Sequence, residues 1–220
     1  MTGVTRQIGV LIVDDDALVR AGLKMMLDGA DGIAVVGEAS DGDEVSAAVD
    51  RHHPDLVLMD LRMARVSGIT ATSRVRARTN PPEVVVLTTF DADEDVLRAL
   101  RAGASGFLLK DTPPGQIIEA IHKVVAGDPM LSPRITRRLM NRAAADSGAS
   151  EQARAALTAL TGREYEVAVG VAKGQTNAEI AAELYMSVAT VKAHISRILI
   201  KLGLGNRTQI ALLGHDAGLA

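Results

Sequence analysis

The chain has 220 residues, 47% hydrophobic and 23% charged, a composition typical of globular proteins with one large or two small domains. It contains no cysteine, which excludes disulfides, thiol catalysis and cysteine-bound metals. No apolar run approaches the roughly 20 residues of a membrane helix, and the first residues lack the pattern of a signal peptide. We therefore expect a cytoplasmic protein with no membrane contact.

Charge is distributed unevenly along the chain. Residues 1–130 have a net charge of −7 and residues 131–220 of +4, for a total of −3. This asymmetry predicts an acidic domain followed by a part that can approach nucleic acid.

Short apolar runs alternate with helical patterns over the first 126 residues. We predict five strands, over residues 8–13, 33–37, 56–59, 83–88 and 106–109. We predict five helices, over residues 17–27, 41–51, 68–78, 92–102 and 114–126. The first helix is expected to turn Leu18, Gly22, Leu23, Met26 and Leu27 toward the core, and Asp91 with Glu94 has the spacing of a capping box for the fourth. This alternation predicts a doubly wound parallel sheet with helices on both faces.

Polar side chains follow four of these strands. Asp14 and Asp15 come after the first, Asp60 after the third, Thr88 ends the fourth and Lys110 follows the fifth. In such a sheet these strand ends meet at one edge. Carboxylates gathered there need a cation, and an all-oxygen site suits Mg²⁺. An aspartate can attack phosphorus, with Mg²⁺ and Lys110 supplying positive charge and Thr88 a hydrogen bond.

Four motifs carry a family resemblance: IVDDD, MDLRM, LTTF and ASGFLLKD. In order and spacing they resemble the receiver domain of bacterial two-component response regulators, over about residues 8–126. The resemblance implies a flavodoxin-like, five-stranded parallel sheet in the order 2-1-3-4-5. Two positions depart from the usual pattern: Ala64 and Asp111 stand where many receivers have proline.

The same resemblance assigns roles to individual residues. Asp60 would be the phosphoacceptor. Asp15, Asp60 and the backbone carbonyl of Arg62 would bind Mg²⁺, with help from Asp14. Thr88 and Phe107 would form a switch pair: on phosphorylation the hydroxyl moves toward the phosphate and the ring turns inward.

The composition changes after this region. We place the receiver at residues 1–128 and a linker at 129–156, with a domain at 157–220. Residues 143–155 are small and polar, as in a flexible linker. The basic residues before them either contact DNA phosphates or form a solvated connector: Arg134, Arg137, Arg138 and Arg142.

The C-terminal 64 residues predict four helices. Thr161 with Glu164, and Thr176 with Glu179, have capping-box spacing. Ser187 is expected to cap a long third helix ending at Leu202, and residues 206–218 form a fourth. The second and third helices, joined by a short turn, form a helix-turn-helix pattern whose second helix enters the major groove.

The third of these helices has two distinct faces. Its core face consists of Val191, Ile195, Ile198, Leu199 and Leu202. The opposite stripe consists of Ala189, Lys192, Ala193, Ser196, Arg197 and Ile200. Small residues interleaved with Lys, Arg and Ser suit close approach to bases and phosphates. Tyr165, Tyr185 and His194 are interpreted as packing residues, whereas Ile200 is either a dimer contact or simply exposed.

The segment from LTGREYEV to NRTQIA, over about residues 157–215, resembles the LuxR-type DNA-binding domain. With a receiver before it, the whole chain resembles a response regulator of the NarL/FixJ family. That implies a homodimer on double-stranded DNA, with Gln209, Leu212 and Leu213 as interface candidates. It implies base contacts by Lys192, Ala193 and Ser196 and phosphate contacts by Thr190 and Arg197. Lys201, on the same flank as Thr190, completes the predicted DNA-contact set.

We therefore expect a non-enzymatic transcription factor that a sensor histidine kinase phosphorylates at Asp60 with Mg²⁺. One alternative is a phosphorylation-independent DNA-binding protein. Another is a Mg²⁺-dependent phosphohydrolase, although that class would want an acid two residues after the nucleophile, where this chain has Arg62.

Overall fold

The computed structural model describes residues 7–30, 32–89, 93–128, 130–131 and 149–219. The chain divides into two compact units, Met1–Ser132 and Pro133–Ala220. None of the described helices is long and apolar enough to cross a bilayer.

The first unit alternates strands and helices, as predicted. Its strands are β1 (Ile8–Val13), β2 (Ile33–Ala39), β3 (Leu56–Met59), β4 (Glu83–Thr88), β5 (Gly106–Leu109) and β6 (Met130–Leu131). Its helices are α1 (Ala17–Asp28), α2 (Val45–His52), α3 (Gly68–Arg76), α4 (Asp93–Arg101) and α5 (Pro114–Ala126). The sheet order is β2-β1-β3-β4-β5-β6, which confirms the predicted order of the first five strands. Asp91, predicted to cap the fourth helix, lies outside the described residues.

The short β6 was not predicted. It pairs in parallel with β5, with Met130 opposite Gly106 and Leu131 opposite Phe107. Two residues are too few to carry a strand pattern, so these residues were predicted to belong to the linker.

The central strands are buried on both faces because successive residues point to opposite sides of the sheet. Val10, Ile12 and Leu58 pack with apolar residues of α1 and α5 on one face. Leu11 and Met59 pack with residues of α2 and α3 on the other. The carboxyl ends of β1, β3, β4 and β5 therefore reach the same edge of a sheet held between two helix layers.

One detail of α1 differs from the prediction. Leu27 is fully buried, and Leu23 and Met26 pack partly against the core. Leu18, however, is 84% exposed. Nine residues at roughly 100° per residue place Leu18 opposite Leu27 on the helix, so the two cannot share a core face.

The described part of the second unit, residues 149–219, contains helices joined by turns. Its helices are α6 (Ala149–Leu157), α7 (Gly162–Ala172), α8 (Asn177–Glu183), α9 (Val188–Leu202) and α10 (Arg207–Asp216). The last four confirm the predicted helices, and both predicted capping boxes are formed. Ser187 caps α9, accepting the Thr190 N–H at 3.1 Å. The predicted core face of α9 is confirmed, since Val191, Ile195 and Ile198 are buried and Leu199 and Leu202 pack against the same cluster.

Helix α6 lies where small polar residues predicted a flexible linker. Ala153 and Leu157 pack against Ala217. In addition, the Arg154 Nε donates a hydrogen bond to the Ala217 carbonyl at 3.0 Å. These contacts with Ala217 therefore stabilise a helix in a segment whose composition predicted a flexible linker. The arginine-rich part of the predicted linker lies outside the described residues.

Candidate functional site

The ends of β1, β3 and β5 bring a lysine and two carboxylates into contact. The Lys110 Nζ lies 2.6 Å from an Asp14 oxygen and 3.2 Å from an Asp60 oxygen. Asp14 and Asp60 are 2% and 6% exposed, so both residues are shielded from bulk water. Residues up to 96 positions apart in sequence thus meet at the carboxyl edge of the sheet.

Asp15 completes a carboxylate cluster. One ligand oxygen from each of Asp14, Asp15 and Asp60 lies within 4.8 Å of the others, and Asp15 is exposed. Local backbone geometry positions these side chains: the Asp16 N–H donates to Asp14 Oδ1 at 3.0 Å. Asp16 itself caps α1 by accepting the Leu18 N–H at 2.8 Å.

The electrostatics of this cluster favour an added cation. Burial raises the pKa of Asp14 and outweighs the opposing hydrogen bonds from Lys110 and the Asp16 N–H, while the charge of Asp60 raises it further. Burial alone would lower the pKa of Lys110, but its hydrogen bond to Asp14 and the charge of Asp60 raise it overall. Three carboxylates therefore lie together where the Lys110 ammonium contacts Asp14 and Asp60, and a hard divalent cation such as Mg²⁺ fits this all-oxygen donor set.

Asp60 is held on several sides. Its backbone N–H donates to the Val13 carbonyl at 2.8 Å, and its Oδ1 accepts the Leu61 N–H at 2.8 Å. Gly68 packs so closely that a Cβ at that position would overlap the Asp60 carbonyl oxygen. Gly68 was predicted only as the first residue of a helix, because the sequence does not reveal which atoms pack against a glycine.

The loop of residues 61–67, which follows Asp60, is tied to its neighbours. The Arg62 guanidinium lies 3.9 Å from the Asp95 carboxylate of α4. Asp41, in the loop before α2, accepts the backbone N–H groups of Arg65 and Val66, each at 2.8 Å. Asp41 was not predicted as a site residue, because it follows no predicted strand that ends at the cluster.

The predicted switch residues are both fully buried. Thr88 and Phe107 are each 0% exposed. The Lys110 N–H donates to the Thr88 carbonyl at 2.9 Å, which links the end of β4 to the lysine. Phe107 lies opposite Val86 in the sheet register, with its ring inside the unit.

In the second unit, the predicted DNA-contact residues line the outer side of α9. Thr190, Lys192, Ser196 and Arg197 are exposed, whereas Ala193 is partly buried. Small and cationic side chains on an exposed second helix of a helix-turn-helix can enter a major groove.

Lys201 differs from that group because its ammonium is engaged within the unit. The Lys201 Nζ lies 2.6 Å from Glu164 Oε2, and Glu164 is 3% exposed. The same Glu164 oxygen accepts the Thr161 N–H at 2.8 Å. The lysine hydrogen bond and the Thr161 contacts lower the pKa of Glu164 to about 2. Lys201 therefore connects α9 to the start of α7.

Other residues of this unit refine the sequence interpretation. Tyr185, in the turn between α8 and α9, is 97% exposed with a φ of 54°, so its interpretation as a packing residue was wrong. Ile200 is 81% exposed. The His194 Nδ1 is buried and lacks a hydrogen-bond partner among the described residues. Leu213, an interface candidate, packs partly against α6 of its own chain.

Comparisons with known proteins agree with this geometry. Residues 10–122 match the response regulator receiver domain, and residues 158–213 match the luxR family of bacterial regulatory proteins. The chain is 38% identical to the transcriptional regulatory protein LiaR of Bacillus subtilis (strain 168) over 208 residues, which cover 94% of this chain and 97% of LiaR. It is 37% identical to the response regulator protein VraR of Staphylococcus aureus (strain Mu3) over 212 residues, 96% of this chain and 98% of VraR.

A solved structure matches over both units. The crystal structure of the response regulator ChrA, from a heme-sensing two-component system, matches with a TM-score of 0.53 and 36% identity, covering 97% of this chain and 99% of ChrA. The chain therefore belongs to the two-component response regulators, in the NarL/FixJ group that joins a receiver domain to a LuxR-type helix-turn-helix domain.

Proposed function

We propose that this protein is a cytoplasmic, phosphorylation-dependent transcriptional regulator in which Asp60 accepts a phosphoryl group from a sensor histidine kinase. The observation that carries the proposal is the contact of the Lys110 ammonium with two buried carboxylates, Asp14 and Asp60, at 2.6 and 3.2 Å. A buried carboxylate beside a fixed cation, at the rim of a parallel sheet, suits phosphoryl transfer.

The chain's own groups can prepare Asp60 for this step. The Leu61 N–H holds one carboxylate oxygen and Lys110 lies beside the other. A carboxylate oxygen forms the bond to phosphorus as the bond from phosphorus to the kinase's histidine nitrogen breaks. The imidazole leaves with that electron pair and takes up a proton. The Lys110 ammonium and the Thr88 hydroxyl would then donate hydrogen bonds to the phosphoryl oxygens.

Asp14, Asp15, Asp60 and the Arg62 backbone carbonyl are the residues that would hold Mg²⁺. When bound, Mg²⁺ supplies positive charge against the transferring phosphoryl oxygens. The close grouping of these three carboxylates, with one oxygen of each within 4.8 Å of the others, supports this assignment because like charges so close together favour a bound cation.

The output of the switch is DNA binding. Thr88 and Phe107 would relay phosphorylation to the surface of the receiver, and a homodimer would then bind a roughly palindromic double-stranded site. Lys192, Ala193 and Ser196 are proposed to contact bases, with Thr190 and Arg197 at phosphates. The ion pair of Lys201 with Glu164 favours a supporting role for this lysine over a DNA contact.

The names of the relatives support a regulator over an enzyme. LiaR is a transcriptional regulatory protein and VraR a response regulator, and each aligns along nearly its whole length. Position 62, where an aspartyl phosphohydrolase would want an acid, is an arginine.

Phosphate incorporation from acetyl phosphate tests the proposal. The wild-type chain should take up one acid-labile phosphoryl group with Mg²⁺ and none with excess chelator. Asp60→Ala should abolish uptake, whereas Asp16→Asn, which removes a neighbouring exposed carboxylate that caps α1, should retain it. Undiminished labelling of the Asp60→Ala variant would refute the assignment.

A further inference from the structure

A buried carboxylate outside the phosphoacceptor cluster spans two loops. Asp41, between β2 and α2, is 2% exposed. Its Oδ2 accepts the Arg65 N–H and its Oδ1 the Val66 N–H, both at 2.8 Å. Burial would raise the pKa of Asp41, but these two backbone N–H groups and a third outweigh it and lower the pKa. The carboxylate is therefore held as an anion, with both oxygens committed to the loop after Asp60.

Further contacts hold the same two loops together. The Arg65 guanidinium lies 2.8 Å from the Glu44 carboxylate and 3.0 Å from that of Asp43. Gly42 approaches the Val66 carbonyl so closely that any Cβ would overlap it. The backbones of residues 40–44 and 64–67 therefore lie in close contact, and their side chains carry opposite charges.

The loop that Asp41 holds is part of the site. It begins at Asp60 and carries Arg62, and it closes where the Gly68 N–H donates to the Leu61 carbonyl at 3.0 Å. Residue 64 is alanine and places no ring constraint on the backbone. The tip of the loop is therefore restrained by Asp41 from outside, rather than by a proline within it.

We propose that Asp41 is a positioning residue for the phosphoacceptor site, holding the loop of residues 61–67 so that the Arg62 carbonyl and the Asp60 carboxylate are ready for Mg²⁺. The Mg²⁺ part rests on the proposed function. The restraint on the loop rests on the Asp41 contacts alone.

A pair of variants tests the inference. Asp41→Asn keeps one side-chain oxygen that can accept a backbone N–H. It replaces the other oxygen with an NH₂ group, which faces the second backbone N–H and cannot accept it. Asp43→Asn removes a charge from the same loop, but Asp43 is 41% exposed and reaches Arg65 through its side chain. Ile121→Val, on the buried face of α5, supplies a general loss of stability away from both loops.

Calorimetric Mg²⁺ titration and amide hydrogen exchange are measured on each full-length protein. Removing groups that orient metal ligands typically weakens metal binding by roughly 10- to 100-fold. Asp41→Asn should show a loss in this range, with faster exchange at the Arg65 and Val66 amides. Asp43→Asn and Ile121→Val should bind Mg²⁺ within about twofold of the wild type, well below that range.

Other outcomes would overturn either the inference about Asp41 or the proposed function. If Asp41→Asn binds Mg²⁺ as the wild type does, the inference is overturned and the proposed function stands. If Asp41→Asn loses its folded circular dichroism spectrum, the inference is also overturned, because Asp41 then maintains the fold. If the wild type takes up no Mg²⁺, the proposed function fails, and unchanged exchange at the two amides would overturn the loop restraint separately.

Discussion

The ion pair between Lys201 and Glu164 yields a pH-dependent prediction. The change is Lys201→Met, which keeps most of the side-chain length and removes the ammonium 2.6 Å from Glu164 Oε2. Glu164 is 3% exposed, and its carboxylate also accepts the Thr161 N–H and hydroxyl. Without the ammonium, a nearly buried carboxylate keeps only its capping contacts.

The size of the effect follows from the pKa of Glu164. Hydrogen bonding to Lys201, the largest cause, and to Thr161 lowers this pKa from 4.5 to about 2. A lowered folded-state pKa contributes stability that is fully present above the unfolded value, 4.5, and is lost as the pH falls through about 2. In Lys201→Met the folded pKa rises toward 4.5 while the Thr161 contacts still lower it, so the part of that contribution due to Lys201 is absent at every pH.

The difference in free energy of unfolding between wild type and variant should therefore be largest at neutral pH and should shrink between pH 4.5 and about 2. The chain has two tyrosines, both in the second unit, and no tryptophan. Urea unfolding followed by tyrosine fluorescence thus reports on that unit. Lys192→Met, an exposed lysine on the same helix, is the control and should show little difference at any pH. A Lys201→Met difference that stays constant from neutral pH to pH 2 would refute this reasoning, because the lysine would then act through its apolar stem.

Three further changes test the packing of the site and the DNA-binding face. Phe107→Ala empties a fully buried position and should cost about 3–5 kcal/mol of unfolding free energy, measured by urea denaturation followed by circular dichroism; a cost under about 1 kcal/mol would contradict this packing. Gly68→Ala forces a methyl group against the Asp60 carbonyl and should cost about 1–3 kcal/mol and slow acetyl phosphate labelling. Gly115→Ala, where a Cβ meets open space, should do neither, and equal behaviour of the two variants would count against the close contact. Lys192→Ala should weaken binding to a DNA site selected from random sequence by about 1–3 kcal/mol, measured by fluorescence anisotropy; equal weakening on scrambled DNA would rule out a base contact.

Strong local patterns explain why most of the fold could be predicted. Leu56–Met59 is an apolar run of strand length that ends at a carboxylate, and the structure has a buried strand there. Thr161 and Thr176 each precede a glutamate by three residues, and both capping boxes form. Where the hydrophobic periodicity and the capping or terminating residues agree, the local sequence is enough to predict the helix or strand.

Predictions failed where long-range contacts decide the structure. Helix α6 forms in a segment of linker-like composition because Ala153 and Leu157 pack against Ala217, at least 60 residues away. Leu18 failed for a local reason instead: helical spacing puts it opposite the buried Leu27, and it is exposed. Tyr185 is apolar enough to suggest a packing role, but the turn places it in solvent.

The same limit applies to the site. The strand ends identified the residues that the structure brings together, since topology alone sends parallel strand ends to one edge. The roles of Asp41 and Gly68 were not predicted, because each role depends on a contact between two loops or between a loop and a helix. The ion pair of Lys201 with Glu164 was likewise not predicted, because helix periodicity cannot reveal a buried glutamate on another helix.

DNA affinity measured with and without phosphorylation shows whether phosphorylation of Asp60 controls DNA binding. A DNA site selected with the phosphorylated chain is titrated with wild type and Asp60→Asn, each with Mg²⁺, in the presence and absence of acetyl phosphate. We expect acetyl phosphate to tighten binding by the wild type and to leave Asp60→Asn unchanged. Unchanged affinity of a wild-type chain that is demonstrably phosphorylated, or equal tightening of both proteins, would contradict the claim.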